Sequence, residues 1–150
     1  MFNNVMVEDT LSAILGRLFR VYDAVLAPTG LKTTQRAILA EIGRTGPGRV
    51  GNLAKDLVMD AGALAHNLKP LERDGLVAVG IDSIDRRNRQ ISLTAAGRTR
   101  LRHSDALWQQ APTAFETAFG ERQAAVLREA LAILISGDFE TAFQKSAAIG

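Results

Sequence analysis

What this chain can fold into is narrowed most between Val50 and Thr94, where apolar spacing changes from helical to strand-like within one stretch, VGNLAKDLVMDAGALAHNLKPLERDGLVAVGIDSIDRRNRQISLT. Val50 to Leu57 reads as a helix with Leu53, Ala54 and Leu57 on one face. A short break, Val58-Met59-Asp60, separates it from a second helix running from Ala61 to about Asp74. That helix places Leu64, Leu68 and Leu71 at i, i+4 and i+7, the spacing of a single buried stripe. Asp60 stands where an N-cap belongs, its carboxylate able to accept from the free N–H groups of the first turn. Gly75 ends the helix, because glycine takes the left-handed C′ conformation without steric penalty. Leu76-Val77-Ala78-Val79 and Gln90-Ile91-Ser92-Leu93 then read as short strands, joined by a polar loop too basic to bury.

Helix, tight turn, helix and a two-strand hairpin with a charged tip describe a winged helix-turn-helix. The second helix of such a unit lies in the major groove of DNA. An arginine-bearing tip suits the narrow, electronegative minor groove beside it. Net charge is only +2, which by itself does not imply nucleic acid. The distribution says more: Arg86, Arg87, Arg89, Arg98, Arg100 and Arg102 fall in one stretch with no acidic residue. Arginine pairs with phosphate through a planar fork of donors, although a solvated, salt-bridged helix face reads the same by composition alone.

The remaining residues fit helices on both sides of this unit. Thr10 to about Ala27 is helical, with a wide apolar stripe of Leu11, Ile14, Leu15, Leu18, Val21, Tyr22 and Val25, and Pro28 and Gly30 end it. Lys32 to about Arg44 follows, with Thr33 or Thr34 as its cap and Ile38, Leu39 and Ile42 buried. Gly43 to Gly48 is a loop. Beyond the wing, Thr94 to about Phe119 reads as one long helix kinked at Pro112, then Glu121 to about Ser136, then a tail helix with Phe139 and Phe143. These flanks are more apolar than one small core requires, so they are expected to pack against a second copy. The fold class is therefore mainly α with a small β-hairpin wing. Residues 31–97 form the winged unit, and 10–30 and 98–150 are dimerisation helices.

At 150 residues and 47% apolar content the chain can bury a core, and it has no apolar run long enough for a membrane span. The segment MFNNVMVEDT lacks the basic and apolar regions of a signal peptide, so a cytoplasmic chain is expected. There is no cysteine and only two histidines, His66 and His103, which leaves no basis for a metal site, and no cofactor is expected. No Gly-rich phosphate loop, His-x-x-x-His pair or G-x-S-x-G elbow is present, which argues against an enzyme.

The segments LAPTGLKTTQRAILAEI, NLAKDLVMDAGALAHNLKPLERDGLV and DRRNRQISLTAAG resemble the MarR (multiple antibiotic resistance regulator) family, in register from about Leu11 to Leu134. The most specific pieces are LERDGLV (Leu71 to Val77), the wing pattern of Asp85, Arg87 and Arg89, and Leu93-Thr94-x-x-Gly97. The resemblance implies a homodimeric transcription regulator, usually a repressor, on palindromic double-stranded DNA, in many members released by a small aromatic or phenolic acid. By position it makes Arg87 the minor-groove residue and Asp85 the group that holds it. Arg89 braces the wing or touches phosphate, with Arg86 and Asn88 as further phosphate contacts.

The recognition helix departs from the family pattern. Members commonly carry serine or threonine at Ala63 and Ala65 and arginine at His66. Here the helix opens Ala61-Gly62-Ala63-Leu64-Ala65-His66, and alanine offers only apolar contact, for example with a thymine methyl. Direct readout then falls on His66, on Asn67 toward adenine, and on Lys69 toward guanine or phosphate. An A/T-rich site read through methyl contacts and groove shape is expected; the competing reading is intrinsically weak DNA affinity, or an interaction module that has kept the fold and lost readout. An effector pocket is expected from Arg17, Arg20, Tyr22, His103 and Trp108, the arginines pairing with a carboxylate and the rings stacking. The bland reading of the same residues is a dimer core with surface arginines.

Overall fold

The computed structural model describes residues 7–81 and 89–147, with side chains from residue 13 onward. The chain divides into two compact units, Met1–Trp108 and Gln109–Gly150. The first holds α1 (Val7–Leu26), a 3₁₀ turn (Ala27–Thr29), α2 (Thr33–Thr45), β1 (Gly48–Arg49), α3 (Val50–Asp56), α4 (Ala61–Arg73), β2 (Val77–Ile81), β3 (Arg89–Leu93) and α5 (Ala95–Trp108). The second holds α6 (Ala111–Phe119), α7 (Glu121–Leu134) and α8 (Gly137–Ser146). No described helix is long and apolar enough to cross a membrane.

The leucine stripe of α4 sits as its spacing predicts. Leu64, Leu68 and Leu71 join Leu31, Ile38, Leu39, Ile42, Leu53, Ala54, Leu76, Val77 and Ile91 in one buried cluster. Each fully buried leucine contributes about 2 kcal/mol, enough to fix which face of α4 points outward. Asp60 caps α4, its Oδ1 accepting from the Ala63 N–H at 2.9 Å. Gly75 closes the other end at φ +68°, its N–H donating to the Glu72 carbonyl while Leu76 donates to Leu71.

β3 is the middle strand of a three-stranded antiparallel sheet ordered β1-β3-β2. Val77 pairs with Leu93 and Ile81 with Arg89 on one side; Gly48 pairs with Ile91 on the other. β1 lies at the end of what the sequence reads as a loop. Two residues with a glycine carry no local strand signal, and only the distant β3 makes them one. Both wing strands also extend closer to the tip than expected, β2 by two residues to Ile81 and β3 by one from Arg89.

Where β3 meets α5, four segments are tied at one point. Thr94 N–H donates to the Leu76 carbonyl at 3.2 Å, and its hydroxyl donates to the Gly75 carbonyl at 2.6 Å. The same hydroxyl oxygen accepts from the Gly97 N–H at 2.9 Å, capping α5. Gly97 is buried, and a Cβ there would stand 2.0 Å from the Leu76 carbonyl oxygen. The Leu-Thr-x-x-Gly pattern is thus a structural joint.

Two expectations need correction. Neither Thr33 nor Thr34 caps α2: Lys32 holds the N-cap position, the Gln35 side chain accepts from its N–H at 3.0 Å, and Asp23 of α1 accepts from the Thr33 N–H at 2.7 Å. The long helix from Thr94 to Phe119 is two helices. Pro112 starts α6 instead of kinking a continuous one, because proline cannot donate back to the preceding turn and suits a first-turn position.

Within the second unit, α6 and α7 pack on each other. Arg128 donates to Glu116 at 2.8 Å, and the Phe115 and Phe119 rings lie 5.2 Å apart. Gly120 at φ +96° makes the corner between them. Ser136 caps α8, accepting from the Phe139 N–H at 3.2 Å.

Gly97→Ala is expected to destabilise the protein by about 2–3 kcal/mol, as overpacking against a fixed backbone does. Gly51→Ala, where the added carbon meets nothing within 4 Å, should stabilise it by up to about 1 kcal/mol. Urea unfolding of the two variants beside the parent measures both.

Candidate nucleic-acid interface

With the leucine stripe turned inward, α4 exposes Ala61, Gly62, Ala65, His66 and Lys69, while Ala63 and Asn67 are half-buried. The outward face of its first two turns is therefore apolar and small, with the imidazole and the ammonium group following. Gly62 has a local reason: a Cβ there would lie 3.1 Å from the capping Oδ1 of Asp60. Asn67 does not stand free for adenine. Its Nδ2 donates to the Ala63 carbonyl one turn back at 2.9 Å, which draws the side chain along its own helix.

Arg89 opens β3 opposite Ile81 and is exposed. Asp85, Arg86, Arg87 and Asn88, the tip residues read from sequence, lie outside the described residues. The other arginines of the basic stretch do structural work. Arg98 donates to the Leu93 carbonyl at 3.0 Å and Arg100 to the Thr29 carbonyl at 2.7 Å, while Arg102 donates to the Thr99 hydroxyl at 3.1 Å. Arg100 thereby pins the turn after α1 to α5. The basic stretch thus has two parts, a wing part and a part that binds its own backbone and neighbouring hydroxyl.

On the surface, the hydrogen bond from Arg44 holds the Glu41 carboxyl below its usual value, and that from Arg73 does the same for Asp74. Both pairs are solvent-screened and add little stability.

The residues expected to line an effector pocket are only partly gathered. Tyr22 and Trp108 meet, with ring centroids 5.4 Å apart at 44°. Arg17, Arg20 and His103 are exposed. The charged residue that does join the rings is Arg36 of α2, whose guanidinium carbon lies 4.7 Å from the Trp108 ring centroid. Its Nη2 donates to Asp105 Oδ1 at 2.7 Å, with the Arg36 side chain only 14% exposed. Its Nε and the Thr33 hydroxyl, one turn away, are buried with no hydrogen-bond partner. The sequence did carry a signal for Arg36, since it stands three residues before buried Leu39 on the apolar side of α2.

No family model matches the chain. Among curated proteins, the transcriptional activatory protein BadR of Rhodopseudomonas palustris is 39% identical over 72 residues, spanning 46% of this chain and 41% of BadR. The chain thus covers less than half the length of that relative. Among solved structures, the M. tuberculosis transcriptional regulator MosR in complex with DNA is 29% identical, with a TM-score of 0.68 over 87% of this chain and 99% of MosR. A mutant MarR from E. coli complexed with operator DNA is 22% identical, with a TM-score of 0.77 over 91% of this chain and 99% of MarR. The chain shares the winged-helix fold of these MarR-type structures.

Within that MarR-type frame the expected elements of a winged unit are present and in order, while the outward chemistry of α4 is its own. Asp60→Ala should cost about 1 kcal/mol through the lost cap of α4. Asp105→Ala should cost about 1–2 kcal/mol, less than the roughly 3–5 kcal/mol of a fully buried pair, because Asp105 is 43% open to solvent. Thermal unfolding of each variant checks these values.

Proposed function

We propose that this chain is a sequence-specific DNA-binding transcription regulator acting as a homodimer on palindromic DNA. The observation that carries the reading is α4. Its apolar face is locked into the core, its first turns are capped and exposed, and a two-stranded wing stands on the same unit. A helix so presented fits a major groove. MosR and MarR, which this chain resembles in fold, were both solved on DNA.

In this reading Ala61, Gly62, Ala63 and Ala65 allow close approach and methyl contact, and His66 and Lys69 supply polar contact. Arg87 enters the minor groove, held by Asp85, with Arg86, Asn88 and Arg89 near phosphate. The second copy would cover apolar side chains that the single chain leaves open: Ile14, Leu15, Phe19 and Val21 on α1, and Leu131, Leu134, Phe139 and Phe143 in the second unit. Repression is the proposed sign, although the relative BadR is named an activatory protein; a promoter–reporter assay with and without the protein decides it.

A small aromatic acid is proposed as the effector. Its carboxylate would compete with Asp105 for Arg36, and its ring would pack beside Tyr22 and Trp108. A thermal-shift screen of aromatic acids in which none raises the melting temperature would remove this part.

Fluorescence anisotropy with the chain's own upstream intergenic DNA and a scrambled duplex, over several salt concentrations, tests the main reading. A preference of about a thousandfold at physiological salt is expected. Arg87→Glu should abolish it, and light scattering should give the dimer mass. Equal, steeply salt-dependent binding to both duplexes means phosphate contact only. No binding, with Arg87→Glu indistinguishable from the parent, means an interaction module.

A further inference from the structure

Two helices of the winged unit end in the same hydrogen-bonded closure. At α4 the left-handed position is Gly75. At α3 the Val58 N–H donates to the Lys55 carbonyl at 3.0 Å and the Met59 N–H to the Ala54 carbonyl at 2.9 Å, the same pair of bonds one helix earlier. Here the left-handed residue is Val58, at φ +52°, the one non-glycine residue with positive φ among the described residues. A β-branched side chain is among the least suited to that conformation. Packing does not compensate, since Val58 is 81% exposed. Strained residues of this kind cluster at functional sites.

The position of Val58 says what uses it. It lies two residues before the Asp60 cap, in the turn that leads into α4, and its side chain is exposed. Among the exposed residues of the first turns of α4, Ala61 and Ala65 present only methyl groups, and Asn67 is drawn back onto the Ala63 carbonyl. Beside the polar contacts of His66 and Lys69, the base-edge feature that the methyl part of this surface complements is the thymine methyl.

We infer that Val58 is a specificity-determining residue whose isopropyl group contacts thymine methyls beside the recognition helix. The inference rests on the DNA-binding reading above. It extends apolar readout from the helix to the turn that precedes it.

The test compares the parent with Val58→Gly on a duplex enriched by the parent from a random-sequence library, in thymine form and with every thymine replaced by deoxyuridine. The parent should lose about tenfold or more on the deoxyuridine duplex, the scale of lost apolar contacts. Val58→Gly should melt at a higher temperature, because its strain is relieved, yet bind the thymine duplex about tenfold more weakly. Its penalty for deoxyuridine should be smaller than the parent's. A merely structural Val58 would raise stability and leave affinity and the deoxyuridine penalty unchanged; that result overturns the inference and leaves the DNA-binding reading standing. If the parent enriches no duplex at all, the DNA-binding reading fails and the inference goes with it.

Discussion

The buried approach of Gly97 to the Leu76 carbonyl is the contact through which the winged unit is assembled. Leu76 ends the closure of α4 and leads into β2, while Thr94 ends β3 and caps α5. One hydroxyl and one missing side chain therefore join α4, both wing strands and the helix behind them. The leucine stripe sets which way α4 faces, and this joint sets where its end lies relative to the wing. Neither is sufficient alone. A stripe without the joint would leave the hairpin free to pivot, and a joint without the stripe would hold the end of a helix whose face was not specified.

Arginine serves two different purposes along one basic run. At the start of β3, Arg89 is exposed to solvent. From Arg98 onward arginine is consumed inside the chain, closing carbonyls at the end of β3 and in the turn after α1. Buried or half-buried carbonyls need partners, and a guanidinium, with five donors on a long stem, can reach them from a helix surface. Composition counts these arginines alike, and only geometry separates them. The same holds for Arg36, which binds a carboxylate and an aromatic face at once and leaves two buried polar atoms on α2 without partners.

Features governed by local rules were legible in the sequence. The Asp60 cap, the Gly75 stop, the leucine period of α4 and the change to strand spacing depend on residues within a few positions of each other, and all stand where the sequence puts them. What was not legible depends on distant partners. β1 exists because β3 pairs with it. The start of α2 is fixed by Asp23 from another helix, which made a threonine cap unnecessary. The separation of α5 from α6 turned on whether Pro112 bends a helix or begins one, a choice the sequence leaves open. At the interface, the exposed face of α4 was readable from its period, but the loss of Asn67 to its own backbone and the left-handed Val58 were not, since both are conformations and not compositions.

β3 runs to Leu93 and the next residue already caps α5. Nothing flexible lies between the strand that carries half of the wing and the helix that carries Asp105 and Trp108. In mechanical terms the pair is a crank without play. A rotation of α5 about its own axis would act directly on the end of β3, with no linker residue between them to absorb it.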